Sequence, residues 1–568
     1  MMKAGVGYSG TLGVFAGLLL LSSWLVSNHY PPWVAAHSEL MAALAACVLF
    51  AAAMSSAKRE RLRLPASGCF LVTVAAIPFA QGITGHVFFF GDGWIATLFL
   101  LGTAVAVVSA FRLTDHKSTG VSLGLAQLLV AGAVVSSVVA VLQRFEVDAG
   151  AFALHLVAVS SGGRPSANLA QPNQLASLLL LGLCSVWFLF EVGKLKLGWA
   201  MAAAVWLTVT LGMTQSRTPI LFFTVLLVAH WLAAQRAGVR LGVKAPVALA
   251  VLWGSSFMAW PVVTQLALLQ RSGTLTERVN GLGRAEIWRS LWDAAWLRPW
   301  TGFGWNQVSV AQLAVAADHP RTEYVEHSHN LLLDLLLWNG VPLGLLIIGI
   351  GSLWLWRRMR DVRHPQGLFG LLVVGLLLTH AMVEFPLDYL YFLVPFGVAI
   401  GLVEASRPNP VPALSVPVAV GWGMVVAFFG VTAWTAADYW RVEDAYREMR
   451  FTVARIGRPM VTEPPPLLAT QFTQLAAFHR FSLFTPHPGM SPQEVDWMRK
   501  VAHRFAYAPS LYRYALAQAW SGDVEGAKLT LRQMRQLHGE RPHDAAQREL
   551  REMVQGEHPE LRGLLLAP

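Results

Sequence analysis

Residues 321–344, RTEYVEHSHNLLLDLLLWNGVPLG, carry two histidines, His327 and His329, on the last polar positions before an apolar run that continues to about Trp356. Imidazoles placed there sit at a water–lipid boundary, where one group can meet both a lipid-borne and a water-borne reactant. Histidine exchanges protons near neutral pH, so the position suits a general base. Polar ends of membrane spans are common, and an interfacial anchor or helix cap is the competing reading for either ring. The company the histidines keep is what favours chemistry.

Arg217 lies in a very short turn, Thr214-Gln215-Ser216-Arg217-Thr218-Pro219, between two apolar segments. Its guanidinium cannot lose its charge, so it either snorkels to the interface or meets an anion such as phosphate. Arg284 opens an expected helix in which Ile287, Trp288 and Leu291 form an apolar face. The N–H groups and dipole of a helix start favour an anion at that point. A run rich in Gly, Pro and amides, residues 162–174 (GGRPSANLAQPNQ), leads into the next apolar segment. Its Arg164 is a third candidate for an anion. Asn168, Gln171, Asn173 and Gln174 offer donors and acceptors that suit a hydroxyl-rich ligand, a glycan or its acceptor. An ordinary helix entry with Pro172 in the first turn would account for Pro172 and Asn173 but not for the density of amides. His380 and Glu384 stand four apart in the turn 379–389, either orienting the active side chains or closing the turn by a structural hydrogen bond. Asn330 belongs to the same supporting set. Glu146 and Asp148 could hold a divalent ion, but a solvated pair is the plainer reading, and no metal site is expected.

A membrane body must position these groups. The chain has 568 residues, 55% hydrophobic and 13% charged, with mean hydropathy +0.49, a balance foreign to soluble proteins of this size. Apolar runs recur near 10–27, 38–56, 65–82, 93–112, 122–143, 172–191, 197–213, 218–234, 246–264, 330–356, 366–383, 388–404 and 416–436. Each is about 17 to 25 residues long, enough to cross a bilayer, which gives roughly thirteen spans. The first is read as retained rather than as a cleaved signal, because no clear small-residue cleavage site follows it. Lys and Arg cluster after alternate spans: Lys58 to Arg63, Arg112 and Lys117, Lys194 and Lys196, Arg236 to Lys244, Arg357 to Arg363, and Arg407. With the amino terminus cytoplasmic, these loops lie inside, and the loops near 83–92, 144–171, 214–218, 265–329 and 384–388, with the carboxy-terminal tail, face out. The net charge of +10 is then a topology signal and not a nucleic-acid footprint. Cys47, Cys69 and Cys184 all fall inside spans, so no disulfide framework is expected.

The long outward loop, 265–329, holds Arg271, Arg278, Arg284, Arg289, Arg298 and Arg321 and no lysine. Loops of this length escape the positive-inside bias. Beyond residue 437 charged amphipathic segments replace apolar runs, with a proline-rich joint at 459–466. Residues 510–538 read as helix, Gly-Asp turn, helix, similar to a tetratricopeptide hairpin. The expected fold is therefore all-α and polytopic, with a transmembrane body over 1–436 and a helical domain over 437–568 outside the membrane.

In their order and sidedness, residues from about 150 to 405 resemble the superfamily of bacterial O-antigen ligases, O-antigen polymerases and general O-oligosaccharyltransferases. The ligase pattern of His, then Asn, Ser or Gln, nine residues, then Gly is met by His329, Asn330 and Gly340. Leu343 stands where a small or aromatic residue is expected, with Gly344 following. Arg217 and Arg284 resemble the family's diphosphate-contacting arginines. The 163–176 run, the Glu-Phe-Pro-Leu turn and the added tail are most similar to the protein-directed, pilin-glycosylating branch. The resemblance implies a multi-pass inner-membrane enzyme, active on the periplasmic side, that moves an oligosaccharide en bloc from undecaprenyl diphosphate to a Ser or Thr of a periplasmic protein such as a pilin. An O-antigen ligase acting on lipid A core and an O-antigen polymerase remain alternatives.

The chemistry agrees with that resemblance. A lipid diphosphate is already a competent leaving group, so catalysis needs charge stabilisation, which arginines give by bidentate contacts without a metal or other cofactor, and a base, for which His329 is placed ahead of His327. A transporter of lipid-linked glycan would place charges in mid-span and has no need of a histidine at the outer boundary. A membrane scaffold would leave the arginines and histidines unexplained.

Overall fold

The computed structural model describes residues 8–56, 61–114, 120–147, 163–169, 171–233, 236–267, 269, 283–319, 323–407, 410, 412–454, 467 and 470–565. Lys58, Arg59, Lys117, Asp148, Gly162, Arg271, Arg278, Arg321 and the proline joint at 459–466 lie outside the described residues.

The apolar runs are helical because a helix satisfies its own backbone hydrogen bonds in lipid. They begin with α1 (Tyr8–Ser23) and α2 (Ala36–Ser55), then a short strand β1 (Arg61–Leu64), α3 (Ala66–Ile83), α4 (Phe90–Leu113) and α5 (Gly120–Arg144). Four more follow: α6 (Pro172–Glu191), α7 (Leu197–Met213), α8 (Thr218–Ala233) and α9 (Lys244–Leu266). The next region holds α10 (Arg284–Leu297), α11 (Val308–Val315), α12 (Leu331–Asn339), α13 (Val341–Asp361), α14 (Pro365–His380), α15 (Leu390–Ala405) and β2 (Leu414–Pro417). The chain closes with α16 (Val418–Val453), α17 (Thr473–Leu483), α18 (Pro492–Arg504), α19 (Ala508–Trp520), α20 (Val524–His538) and α21 (Glu540–Gln555). Among the described residues eight helices have the length and hydropathy to cross a membrane, and five shorter apolar helices fall on the other expected runs. The all-α expectation omitted one feature, the antiparallel pairing of β1 with β2, Leu62 facing Val416.

Two compact units result. The first comprises Met1–Ala75, Leu98–Thr274 and Ile350–Ala436. Helix α6 is apolar on all sides, and 83% of its central window is buried against 6% for α13, so α6 belongs to the core and α13 is largely exposed. The loops expected on one side bond one another within this unit. Arg112 donates to the carbonyls of Ala53 (2.7 Å) and Arg61 (3.1 Å), and Arg358 and Arg407 flank Glu404. The opposite set converges in the same way: Gln143 reaches the Ala167 carbonyl and Asn173 reaches Glu384. Pro172 stands in the first turn of α6, as the helix-entry pattern predicts.

The second unit comprises Ala76–Thr97, Leu275–Gly349 and Ala437–Pro568. The last expected span does not end where composition changes, since α16 runs unbroken from Val418 to Val453 and its sequence past 437 is still helix-forming. In the tail, α19 and α20 form the expected hairpin. Gly522 takes φ 91° and Asp523 caps α20 through the Gly526 amide at 2.9 Å. The hairpin buries its face against α21 and the turn Pro559–Leu564.

The run 330–356, expected as one span, is two helices. Gly340 adopts φ 77° and ends α12, and a Cβ there would lie 2.5 Å from the Trp300 carbonyl carbon. The break is sealed by backbone bonds: Val341 N donates to the Pro299 carbonyl (2.7 Å) and Phe303 N to the Leu337 carbonyl (2.6 Å). Gly344 is required for a second reason, since a Cβ there would meet the Leu335 carbonyl at 2.8 Å. A side chain at Gly340 must both strain the backbone and part these segments, so Gly340→Ala is expected to destabilise the protein by more than about 1 kcal/mol. Gly349→Ala, with open space around it, is the control. Thermal unfolding of both in detergent checks this, and equal midpoints would refute it.

Candidate functional site

His329 sits in a turn that the chain would not adopt unaided. Its φ of 57° lies in the left-handed region, a conformation that costs a non-glycine residue on the order of 1–3 kcal/mol and persists where neighbours fix it. The neighbours here are Ser328 and Asn330. The Ser328 amide donates to Asp334 Oδ1 at 3.0 Å, and its hydroxyl donates to the Asn330 carbonyl at 2.9 Å. The Asn330 amide donates back to Ser328 Oγ at 3.1 Å. Asn330 also caps α12, its Oδ1 accepting from the amides of Leu332 (3.0 Å) and Leu333 (3.2 Å). From α10 the Trp288 indole donates to the Ser328 carbonyl at 2.8 Å. A half-buried imidazole is thus presented on a rigid turn at a helix entry. Asp334 was missed by sequence reasoning, and its signal was a lone carboxylate inside LLLDLLL.

His327 is half-buried on the same turn. Burial pushes its imidazole below the ordinary range, overriding the opposite pull of Asp334 and Glu326. Arg284 is the first residue of α10 and is exposed, with Glu286 in the same turn. Ile287, Ser290, Leu291, Ala294 and Ala295 form the buried face, so the expected apolar face holds at Ile287 and Leu291. Trp288 is half-buried, while Trp292 and Trp296 pair edge to face on the exposed side, as interfacial tryptophans do.

The tail braces this turn. The Tyr507 hydroxyl donates to Glu326 Oε1 at 2.8 Å, and that of Tyr324 to the same oxygen at 3.3 Å. Arg504 forms a bidentate pair with the buried Asp92, both bonds 2.9 Å, and the Arg504 carbonyl accepts from Ser309 on α11 at 2.8 Å. Gln312 on α11 clasps the strand before the histidines, donating to the Glu323 carbonyl (2.7 Å) and accepting from Val325 N (3.0 Å).

In the first unit, Arg164 Nε donates to the Thr214 carbonyl at 2.9 Å, three residues from Arg217, and its Nη2 reaches Asn173 Oδ1 at 3.4 Å. The Asn173 amide donates to Glu384 Oε1 at 2.7 Å. His380, 1% exposed, shares a hydrogen bond through Nδ1 with Ser177 of α6. The structure therefore brings Arg164, Asn173 and Glu384 into one cluster beside the exposed Arg217. Gln171 precedes α6 and is half-buried. Asn168 and Gln174 depart from the ligand-contacting expectation. Asn168 is 2% exposed and donates to the Leu25 carbonyl at 2.8 Å, while Gln174 is 3% exposed and accepts from the Tyr391 hydroxyl at 2.7 Å. Both hold the loop instead of facing out. Arg144 is a further cation that sequence reasoning passed over, buried at the end of α5 with Thr264 as partner. Its signal was an arginine at an outer span end, the same signal that singled out Arg217. Glu540, His543 and Asp544 on α21 are the one grouping among the described residues with ligand atoms within 4.8 Å of one another, and an acidic turn of this kind is common without an ion.

Residues 202–348 match the family described as O-antigen ligase, residues 165–190 that described as protein glycosylation ligase, and residues 368–552 that described as virulence factor membrane-bound polymerase, C-terminal. The first match takes in Arg217, Arg284 and both histidines, the second Asn168 to Gln174. The chain is 27% identical over 546 residues, 92% of both chains, to a general O-oligosaccharyltransferase of Acinetobacter baylyi (strain ATCC 33305 / BD413 / ADP1). It is also 27% identical over 403 residues, 70% of this chain and 72% of the relative, to a ComP-specific O-oligosaccharyltransferase of the same organism. No solved structure matches the chain.

In the second unit burial holds His86, His327, His479, His538 and His543 below the ordinary imidazole range and pushes His503 down to about 4. Their unfolded forms take protons below about pH 6.5 while the folded forms resist. The stability they contribute is therefore complete above that pH and is lost progressively as pH falls toward 4. The thermal midpoint in detergent is expected to drop between pH 7 and pH 5, and His503→Gln to drop less. A midpoint that is flat over that interval would contradict this.

Proposed function

We propose that this glycosyltransferase, a member of the superfamily of O-antigen ligases and protein O-oligosaccharyltransferases, transfers an oligosaccharide from undecaprenyl diphosphate to a Ser or Thr hydroxyl of a periplasmic protein, a pilin-like one in the narrowest form. The observation that carries the reading is His329, held in a left-handed turn by Ser328, Asn330, Asp334 and Trp288 at the entry to α12. In the step proposed, the acceptor oxygen attacks the anomeric carbon as the bond to the diphosphate oxygen breaks. The diphosphate leaves with the electron pair, and the acceptor proton passes to His329. Attack opposite the leaving group would invert the anomeric centre. Arg217 and Arg284 hold the diphosphate, and the Arg164–Asn173–Glu384 cluster fixes the backbone next to Arg217. His327, neutral by burial, is secondary, and no metal is required because the guanidinium groups neutralise the developing charge.

The chain is a multi-pass membrane protein, and we place it in the inner membrane with the amino terminus cytoplasmic and both the site and the tail periplasmic. The alternation of basic loops supports this orientation. The matches to ligase and polymerase families favour a second reading in which lipid A core or a growing polysaccharide accepts the glycan.

Purified protein incubated with lipid-linked oligosaccharide and each acceptor in turn separates the two. Glycan on a periplasmic protein is expected, and product found only on lipid A core or polysaccharide would overturn the protein reading. In the same assay, His329→Ala is expected to lower turnover by roughly 10²- to 10⁴-fold with insertion and thermal midpoint retained. Wild-type turnover in that variant would remove the base assignment.

The arginines are checked separately. Arg217→Ala and Arg284→Ala are each expected to cost roughly 10²- to 10³-fold, and Arg284→Lys to stay impaired because lysine lacks the planar fork. Unchanged donor binding and turnover in both alanine variants would leave these arginines with a topological role alone.

A further inference from the structure

The first unit contains a cavity that the glycosyl-transfer reading does not use. It is enclosed by α6, α8, α9 and α14, with Leu183, Trp187, Phe222, Leu226, Leu249 and Leu372 among its walls. Its volume is about 70 Å³, room for a few methylene groups and not for a whole lipid. Apart from His230 and Cys184 the lining is apolar. One wall is the segment between α8 and α9, where Val239 and Leu241 face the cavity, joined by Ala245 in the first turn of α9. The residues between and before them, Arg236, Arg240 and Lys244, are exposed. These cations stand next in sequence to wall residues, outside the lining itself, and the segment that carries them is not loosely placed. The Glu191 carboxylate at the end of α6 accepts from the amides of Arg240 and Leu241, and Ala237 is buried in the core.

An apolar chamber among membrane helices with a fixed cationic rim has the two parts needed for a lipid with an anionic head and an alkyl chain. Basic residues at a membrane surface each favour an anionic headgroup by roughly fivefold. The rim lies at Glu191, eighteen residues along α6 from Asn173, which at 1.5 Å per residue is about 27 Å from the cluster beside Arg217. A donor whose diphosphate is held at that cluster cannot place the same headgroup here. We propose that this cavity is a binding site for one anionic phospholipid of the bilayer, part of one acyl chain entering between α6, α8, α9 and α14 and its phosphate against Arg240 and Lys244. The site does not depend on which residue is the base or on the acceptor.

Full-length protein in detergent is titrated with dioleoylphosphatidylglycerol and dioleoylphosphatidylcholine and the retained lipid counted by native mass spectrometry. One phosphatidylglycerol is expected to be held roughly 25-fold more tightly than phosphatidylcholine, the product of two fivefold contributions. The double variant Arg240→Gln, Lys244→Gln is expected to erase that preference at an unchanged lipid-free thermal midpoint. Leu226→Trp, which fills the chamber, is expected to retain neither lipid. Should it fail to fold, Leu249→Phe fills the same space from α9 and carries the same expectation. Equal retention of the two lipids by the unaltered protein, or a preference that survives the double charge variant, overturns the proposal. Displacement of the bound phosphatidylglycerol by a polyprenyl diphosphate would also overturn it, by assigning the chamber to the donor.

Discussion

Backbone N–H and C=O groups that leave a helix inside or beside a bilayer must find partners within the protein, and buried or half-buried glutamines meet that demand here. A carboxamide carries both a donor and an acceptor, so one side chain can serve two peptide groups at once. Gln143 accepts from the amides of Ser166 and Ala167 and donates to the Ala167 carbonyl. Gln81 accepts from Trp305 N and donates to the Trp338 carbonyl. Gln307 binds Phe88 N together with the His86 and Phe303 carbonyls, and Gln312 clasps the strand that leads to the histidines. The loop that carries Asn168 and the strand that leads to the histidines are each tied down by such an amide.

This changes what the amide-rich stretch before α6 means. Its density of Asn and Gln suggests hydroxyl recognition, yet Asn168 and Gln174 are taken up by the Leu25 carbonyl and the Tyr391 hydroxyl. Asn173 is the member tied to charge, standing between Arg164 and Glu384. A carboxylate, an amide and a guanidinium in series hold the Thr214 carbonyl, and with it the turn that presents Arg217. The run is thus first a scaffold for an arginine.

The tail has a comparable double character. An added domain beyond the last span suggests a docking surface for a protein acceptor. Within its compact unit, however, Tyr507 bonds Glu326 one residue before His327, and Arg504 is paired with Asp92 in a buried position. Removing one partner of such a pair costs about 3–5 kcal/mol because the other charge is left uncompensated. The tail is therefore part of what keeps the histidine turn in shape, and truncating it would disturb chemistry and docking together. Substitutions on its exposed face probe docking without that confusion.

What the sequence determined by itself is what depends on composition and period: a polytopic helical membrane body, the alternation of basic loops, the start of α6 at Pro172, the α19–α20 hairpin, and the candidate arginines and histidines as polar groups at span ends. These follow from local hydropathy and charge, which a reader of the chain can add up. Tertiary structure alone decided the rest. Gly340 splits an apolar run because the backbone at Pro299 and Trp300 occupies the space a side chain would need. Asp334, Ser328 and Trp288 become supports of His329 because α10 and α12 meet there, and β1 finds β2 across some 350 residues of chain. Which amide faces a ligand and which holds a loop is likewise settled by what lies opposite it, and a side chain's partners across the chain have no signature in its own neighbourhood of sequence.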